Sequence, residues 1–468
     1  MSEVRSRAGS RLAVWGVVGA LLLIAAAIAV PALTGWNVRV NSFPPLHAEW
    51  MPRLGPGTPL AVLLGIAAIV WGPRVASSAR WGHLLLIAFG VSALWLFALA
   101  TVDGLDGIGT ILDHRYEYLG TAREIDDVGT TLREYVERIP YAHEDNWPVH
   151  IAGHPPGALL FFVALVRLGL GSALAAGFAV LVLGATTVMA VMIALRALGA
   201  EEYARRAVLF LVFTPAAIWI AVSGDGLFMA VAAWGICALA LATATTGARR
   251  VVWSLTAGVL LGYCVMMSYG LPLLGFLAVA VLWAGKSWVP LPIAAAAALG
   301  VVGLFAINGF AWWEAFPVLQ QRYWDGVASR RPPGYWLWGN LAAFGVSAGP
   351  AIGASIAAVG AAAVGMLGGR TRERRSEFVA GDAVADGRGR AKWDPRVVLL
   401  MLAAAGWLMV LAADLSNMSR AEVERIWLPF VPWATLGLAL FGPSTRRWLL
   451  GLQIGFAIVV QSLLSTGW

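Results

Sequence analysis

Residues 101–157 read TVDGLDGIGTILDHRYEYLGTAREIDDVGTTLREYVERIPYAHEDNWPVHIAGHPPG. Eleven of the chain's 26 acidic residues and four of its six histidines fall between Asp103 and Pro156. On both sides the chain is greasy: of 468 residues 59% are hydrophobic and 13% charged, and the mean hydropathy is +0.75. Apolar runs of about 20 residues match the thickness of a bilayer. The quoted segment is therefore a polar loop in an all-α polytopic membrane protein. Charge is expensive in such a chain, so acids and imidazoles gathered on one loop at the bilayer surface suggest a site built for ionisable groups.

Outward from this loop, thirteen spans are expected: 11–35, 58–73, 81–102, 172–196, 203–222, 225–245, 251–269, 271–285, 288–312, 337–368, 397–414, 426–442 and 447–467. The first reads as a retained signal anchor, long and without a small-residue cleavage site, which leaves the amino terminus cytoplasmic. Arg74, Arg80, Arg196, Arg205, Arg206, Arg249, Arg250, Lys286, Arg446 and Arg447 then fall on the cytoplasmic side, as the positive-inside rule requires. This holds if the apolar segment 157–171 does not cross, and it is read as a helix lying in the outer interface. The net charge of +7 sits in short clusters between spans, so nucleic acid is not an expected partner. Residues 370–396 read as a flexible cytoplasmic linker. Cys237 and Cys264 lie in apolar runs as packing residues. Arginine far outnumbers lysine, pointing to a GC-rich bacterial genome and so to a bacterial plasma membrane.

Three polar segments share the outer face: 103–156, 313–336 and 414–425. The 118–138 portion has helical spacing. Asp113 and Glu117, four residues apart beside Tyr116 and Tyr118, would share a helix face, where partial desolvation raises a carboxylate toward a useful base. His154 closes the loop ahead of a Pro-Pro helix start that has no need of an imidazole. Asp225 reads equally as the N-cap of a helix starting at Gly226 or as an acid at the outer edge. Arg330 and Arg331, with Arg322 and nearby aromatics, suit phosphate oxygens as well as interfacial anchoring. Arg425 stands at the outer end of a span against the usual sidedness, so it needs Glu422, Glu424 or a bound anion. The outer carboxylates offer a place for a divalent metal, but their spacing matches no ligand motif.

In order, DHRYEYLGTAREI (113–125), GHPPGALLFFVALVRLGLG (153–171), TPAAIWIAVSGDGLFMAVAAWG (214–235) and RIWLP (425–429) resemble the GT-C superfamily of polyprenyl-phosphate-sugar glycosyltransferases. The likeness is to the branch with protein O-mannosyltransferases and aminoarabinose transferases, and covers the chain from about residue 98. It implies a GT-C-type bundle, residues 98–468, preceded by an added transmembrane module, residues 1–97. It also implies an inverting transfer, outside the cell, of mannose or arabinose from a polyprenyl-phosphate donor to a glycan, glycolipid or protein acceptor. The base falls on Asp113, with Glu117 competing. Asp225 matches the second outer acid and Arg425 the late phosphate-binding arginine, helped by Arg330, Arg331 and His154. Tyr116, Tyr118 and Tyr269 are placed to bind substrate. Where many relatives carry a basic residue before a proline, this chain has Ser268-Tyr269-Gly270-Leu271-Pro272. A transporter of lipid-linked sugars or a non-catalytic glycan-binding protein are the competing readings. No internal repeat supports the transporter.

Overall fold

Continuous apolar sequence becomes helix wherever no proline or polar cap interrupts it. The computed structural model describes residues 2–40, 43–221, 223–368 and 393–466. Among these, seven helices are long and apolar enough to cross a membrane: Arg7–Thr34, Trp81–Asp103, Ala173–Ala197, Gly224–Ala244, Gly247–Met267, Pro290–Ile307 and Pro395–Leu415. Two bent pairs, Gly57–Val70 with Gly72–Ser78 and Pro333–Ser347 with Ile352–Met366, raise the number to nine if each is one span. The protein is an all-α membrane protein. The linker expected at 370–396 lies outside the described residues up to 392.

Several expected spans are not single long helices, and the interruptions are chemical. The run 203–222 breaks at Thr214-Pro215 into Glu201–Val212 and Ala217–Ile220. The run 426–442 carries Pro429 and Pro432 and folds into short turns, Leu428–Phe430, Val431–Ala434 and Thr435–Leu440. The run 271–285 is a short apolar helix, Leu271–Ala284. The run 337–368 turns by 107° at Gly349-Pro350. Gly349 has φ +79°, and a Cβ there would stand 2.1 Å from Gln453 Oε1. Gln453 closes the bend, accepting from Ala351 N at 3.2 Å and donating to Ala348 O at 2.6 Å.

The segment 157–171 forms the helix Pro156–Arg167. Both of its ends are tied to the polar loop: Arg167 Nη2 donates to Asp126 O at 3.0 Å, and His154 at its start belongs to that loop. At about 18 Å long it does not reach the far end of the bundle. The helical spacing at 118–138 resolves into two short helices, Tyr118–Glu124 and Val128–Glu134. Asp127 separates them by capping the second, its Oδ1 accepting from Gly129 N at 2.8 Å.

The first 97 residues pack into the rest of the bundle. The helix Ser2–Thr34 lies against Pro333–Ser347 and Ile352–Gly368, and Gly57–Val70 against Pro443–Leu463. The strand Ala48–Trp50 pairs antiparallel with Leu464–Thr466, aligning Ala48 with Thr466. Beside it Arg53 donates to Leu464 O at 2.9 Å and Asp103 Oδ2 at 3.0 Å. At the opposite end Arg205 donates to Ala76 O and Ala79 O, Arg447 to Ile69 O, and Arg196 stacks on Trp81. The bundle thus has one arginine-rich end and one end where the acidic segments meet.

Candidate functional site

Glu117 precedes the helix Tyr118–Glu124 in extended backbone (φ −89°, ψ −178°), reached through turns at Ile111–His114 and His114–Glu117. The helix face expected to join Asp113 and Glu117 therefore does not form. Asp113 is half-exposed and pairs with Arg123 at 2.6 Å. Glu117, 3% exposed, turns inward to His150, with Oε1 2.7 Å from Nδ1. His150 sits on the turn Val149–Ala152 just before the Pro-Pro element, and its carbonyl accepts from His154 Nδ1 at 2.7 Å. Tyr135, also buried, donates to Ile151 O and His154 O and holds that turn. Arg322 donates to Trp147 O at 2.9 Å and to Ile139 O, clamping the same loop to the helix Trp312–Asp325.

Two more acids arrive from later in the chain. The helix Gly224–Ala244 starts one turn after Trp219–Ile220, and Gly226 packs so closely that a Cβ would stand 2.1 Å from Ile220 O. Asp225 falls in the first turn of this helix rather than at its cap. Its carboxylate meets Arg425 Nη1 at 2.6 Å, so the ion pair takes the place of the expected backbone cap. Arg425 Nη2 lies 3.0 Å from His150 Nε2 and 3.3 Å from Glu422 Oε2. The short helix Val423–Ile426 that carries Arg425 is fixed by Ser347 Oγ on Glu424 O at 2.7 Å. Asn340 accepts from Ala421 N and donates to Asp414 and Ser419 O. Ala421 and Glu422 both have left-handed backbone, φ 74° and 64°, which costs a non-glycine residue about 1–2 kcal/mol.

A second tier extends from Glu422. Its Oε1 lies 3.5 Å from Arg331 Nη2 and 3.8 Å from His47 Nε2, and Arg331 Nη2 donates to His47 Nε2 at 2.8 Å. Arg331 is further held by Arg420 O and Arg39 O. Arg420, buried, donates to Ala328 O and Arg331 O and so shapes the turn beneath it.

Hydrogen-bond chemistry settles the imidazole tautomers. A guanidinium only donates, so His150 accepts at Nε2 and donates from Nδ1 to Glu117. Burial alone pushes the Glu117 carboxyl up, but His150, then Arg425 and His154, outweigh it and hold the group below its usual range. The expectation that desolvation raises this acid toward a useful base is overturned by those neighbours. Glu422 is likewise pushed up by burial yet brought down to about 2 by Arg425, Arg331 and the two histidines facing it. Burial, the largest cause, pushes both His154 and His47 below their usual value. Burial, then Glu117 and Asp225, push the Tyr118 phenol well above its usual value. Tyr118 OH and Glu117 Oε2 are buried and lack a hydrogen-bond partner among the described residues, which in a native fold calls for a functional explanation.

The structure thus brings Glu117, Asp225, Arg425, His154, Arg331 and the Tyr118 ring to one end of the bundle. It leaves others aside. Asp113 pairs with Arg123, Tyr116 stacks near Arg115 and His114, and Arg330 is exposed beside inward-facing Arg331. Tyr269 packs on Trp312 and Phe316. His150, His47, Tyr135 and Arg420 were not singled out from sequence. His150 carried one signal, its position four residues before His154 on a turn that opens a helix. Among the described residues no group of three or more His, Cys, Asp or Glu is arranged to hold a metal ion. Comparison of the chain with profiles of known protein families and with curated proteins yields no match. The arrangement chains an acid, an imidazole and a guanidinium between two further acids, and the members range from almost fully buried to half-buried.

Proposed function

We propose that the protein is an inverting glycosyltransferase of the bacterial plasma membrane. In this reading it moves mannose or arabinose from a polyprenyl-phosphate carrier to an envelope glycan, glycolipid or protein on the extracytoplasmic side. The supporting observation is the meeting of Glu117, through His150, with Asp225 and Arg425, drawn from distant parts of the chain, at the end of the bundle opposite the arginine-rich end. The positive-inside rule, applied to the arginine-rich end, supports an extracytoplasmic site in this reading. Arg425, with Arg331, is suited to the departing lipid phosphate, where a fixed guanidinium stabilises developing charge. Glu117 is a better candidate than Asp113 for the acid of the general-base step because it shares the site. It acts through His150: once Arg425 turns to phosphate, His150 Nε2 is released to take the proton of the acceptor hydroxyl, and Glu117 steadies the imidazolium.

The test is turnover by the purified protein supplied with polyprenyl-phosphate mannose or arabinose, read as released polyprenyl phosphate. Release is expected, abolished by Glu117→Gln and by His150→Gln and retained by Asp113→Asn. No release from either donor would refute the transferase, and a fully active Glu117→Gln would refute the base. One feature favours a second reading, transport of a lipid-linked sugar: the two bent helix pairs, at 56° and 107°, are the kind of break that lines substrate paths in transporters. Movement of labelled lipid-linked sugar across vesicles without chemical change would select it.

A further inference from the structure

Arg331 and Arg425 approach each other across a single carboxylate. Glu422 places Oε2 3.3 Å from Arg425 Nη2 and Oε1 3.5 Å from Arg331 Nη2. Both contacts are long for a charge-assisted bond, which closes to about 2.7–2.9 Å. The same Arg425 holds Asp225 at 2.6 Å. The arginine side chains are 2% and 5% exposed, whereas that of Glu422 is 23% exposed. Glu422 also sits on the strained left-handed pair Ala421-Glu422. Asp225 is thus a tight partner of Arg425, and Glu422 a longer-range, less buried one on strained backbone.

We infer that Arg331 and Arg425 form an anion clamp for a phosphate group, and that Glu422 is its displaceable occupant, swinging out when phosphate enters. A carboxylate bridging two buried guanidiniums offers them what a phosphate offers: two oxygens on one anionic centre. His47 completes the clamp from the N-terminal segment, its Nε2 accepting from Arg331 Nη2 at 2.8 Å. That contact turns one Arg331 donor away from Glu422 and holds the guanidinium plane in place. His47 and Arg39, whose carbonyl accepts from Arg331 Nε, thereby become part of the site. The inference deepens the transferase reading and borrows from it only the lipid that carries the phosphate.

The experiment measures binding of undecaprenyl phosphate, and separately of inorganic phosphate, to the full chain in nanodiscs by ligand-induced thermal stabilisation. Glu422→Gln keeps a polar side chain but removes the competing charge, and should bind the lipid phosphate about tenfold tighter. Glu422→Ser serves if the glutamine variant does not fold. Arg331→Gln should bind about tenfold more weakly, and His47→Ala severalfold more weakly with no change in the response to Glu422→Gln. Unchanged or weaker binding by both Glu422 variants would overturn the inference. The same pattern with inorganic phosphate alone would keep the clamp and overturn the lipid carrier. A protein that binds undecaprenyl phosphate in this pattern but releases none from sugar donors would keep the clamp and remove the transferase.

Discussion

Replacing Arg425 removes the one guanidinium in direct contact with Asp225, His150 and Glu422 at once. At an effective dielectric of about 20, two charges about 4 Å apart attract by roughly 4 kcal/mol. Leaving a buried carboxylate without its cation costs about 3–5 kcal/mol. Asp225 is 2% exposed and cannot recover that loss by hydration. Arg425→Gln should therefore lower unfolding free energy by about 3–5 kcal/mol, and Asp225→Asn by less, since Arg425 keeps Glu422 and His150. The double variant should be milder than the sum by about 3 kcal/mol, the upper end for residues in direct contact. Equilibrium denaturant titration in detergent micelles, followed through the 23 tryptophans, gives all four corners of the cycle. Additivity within about 0.5 kcal/mol would show that the pair is not coupled, and the site as described here would not exist.

Stability should fall in two steps on acidification. His47 and His154 titrate below their usual 6.5 in the fold, so the unfolded chain takes protons first and stability drops as pH falls from 6.5 through the folded values. Glu422 is depressed from 4.5 to about 2, so its contribution is full above 4.5 and is lost as pH falls toward about 2, and Glu117, also depressed, adds to the same limb. Melting curves between pH 8 and 2 should show both limbs; His154→Gln should flatten the first and Glu422→Gln the second. Asp113→Asn breaks only a half-exposed pair and should shift stability by less than about 1 kcal/mol. A larger loss on denaturant titration would mean that Asp113 has a buried role. Gln453→Leu strands Ala351 N and Ala348 O at the bend and should cost about 1–3 kcal/mol, whereas a neutral result would show that the 107° turn does not depend on that amide.

The membrane class was legible because hydropathy is a property of runs, and runs survive local errors. The count of crossings was less so. Pro215, Pro350, Pro429 and Pro432 were visible, yet hydropathy cannot tell a helix from an equally greasy chain of turns. Arg425 announced itself by standing on the wrong side for a cation, and Asp225 by interrupting two apolar runs. What sequence did not settle was their partnership: the same aspartate satisfies a helix start or a guanidinium, and only the 200-residue return of the chain decides. The expected shared face of Asp113 and Glu117 assumed one helix through 113–117, where turns instead send the two carboxylates to different surroundings. His150 and His47 were hidden for another reason. His47 stands alone with no spacing to read, the four-residue step from His150 to His154 is a faint one, and the importance of both comes from the distant groups that reach them, Arg331 for His47, Glu117 and Arg425 for His150.

The pairing of Ala48–Trp50 with Leu464–Thr466 carries a consequence for biogenesis. These strands lie far apart in sequence, and because loop closure must be met before so non-local a contact can form, their pairing is a late step in folding. His47 adjoins the first of them, so the rim around Arg331 is completed only once that distant pairing has formed.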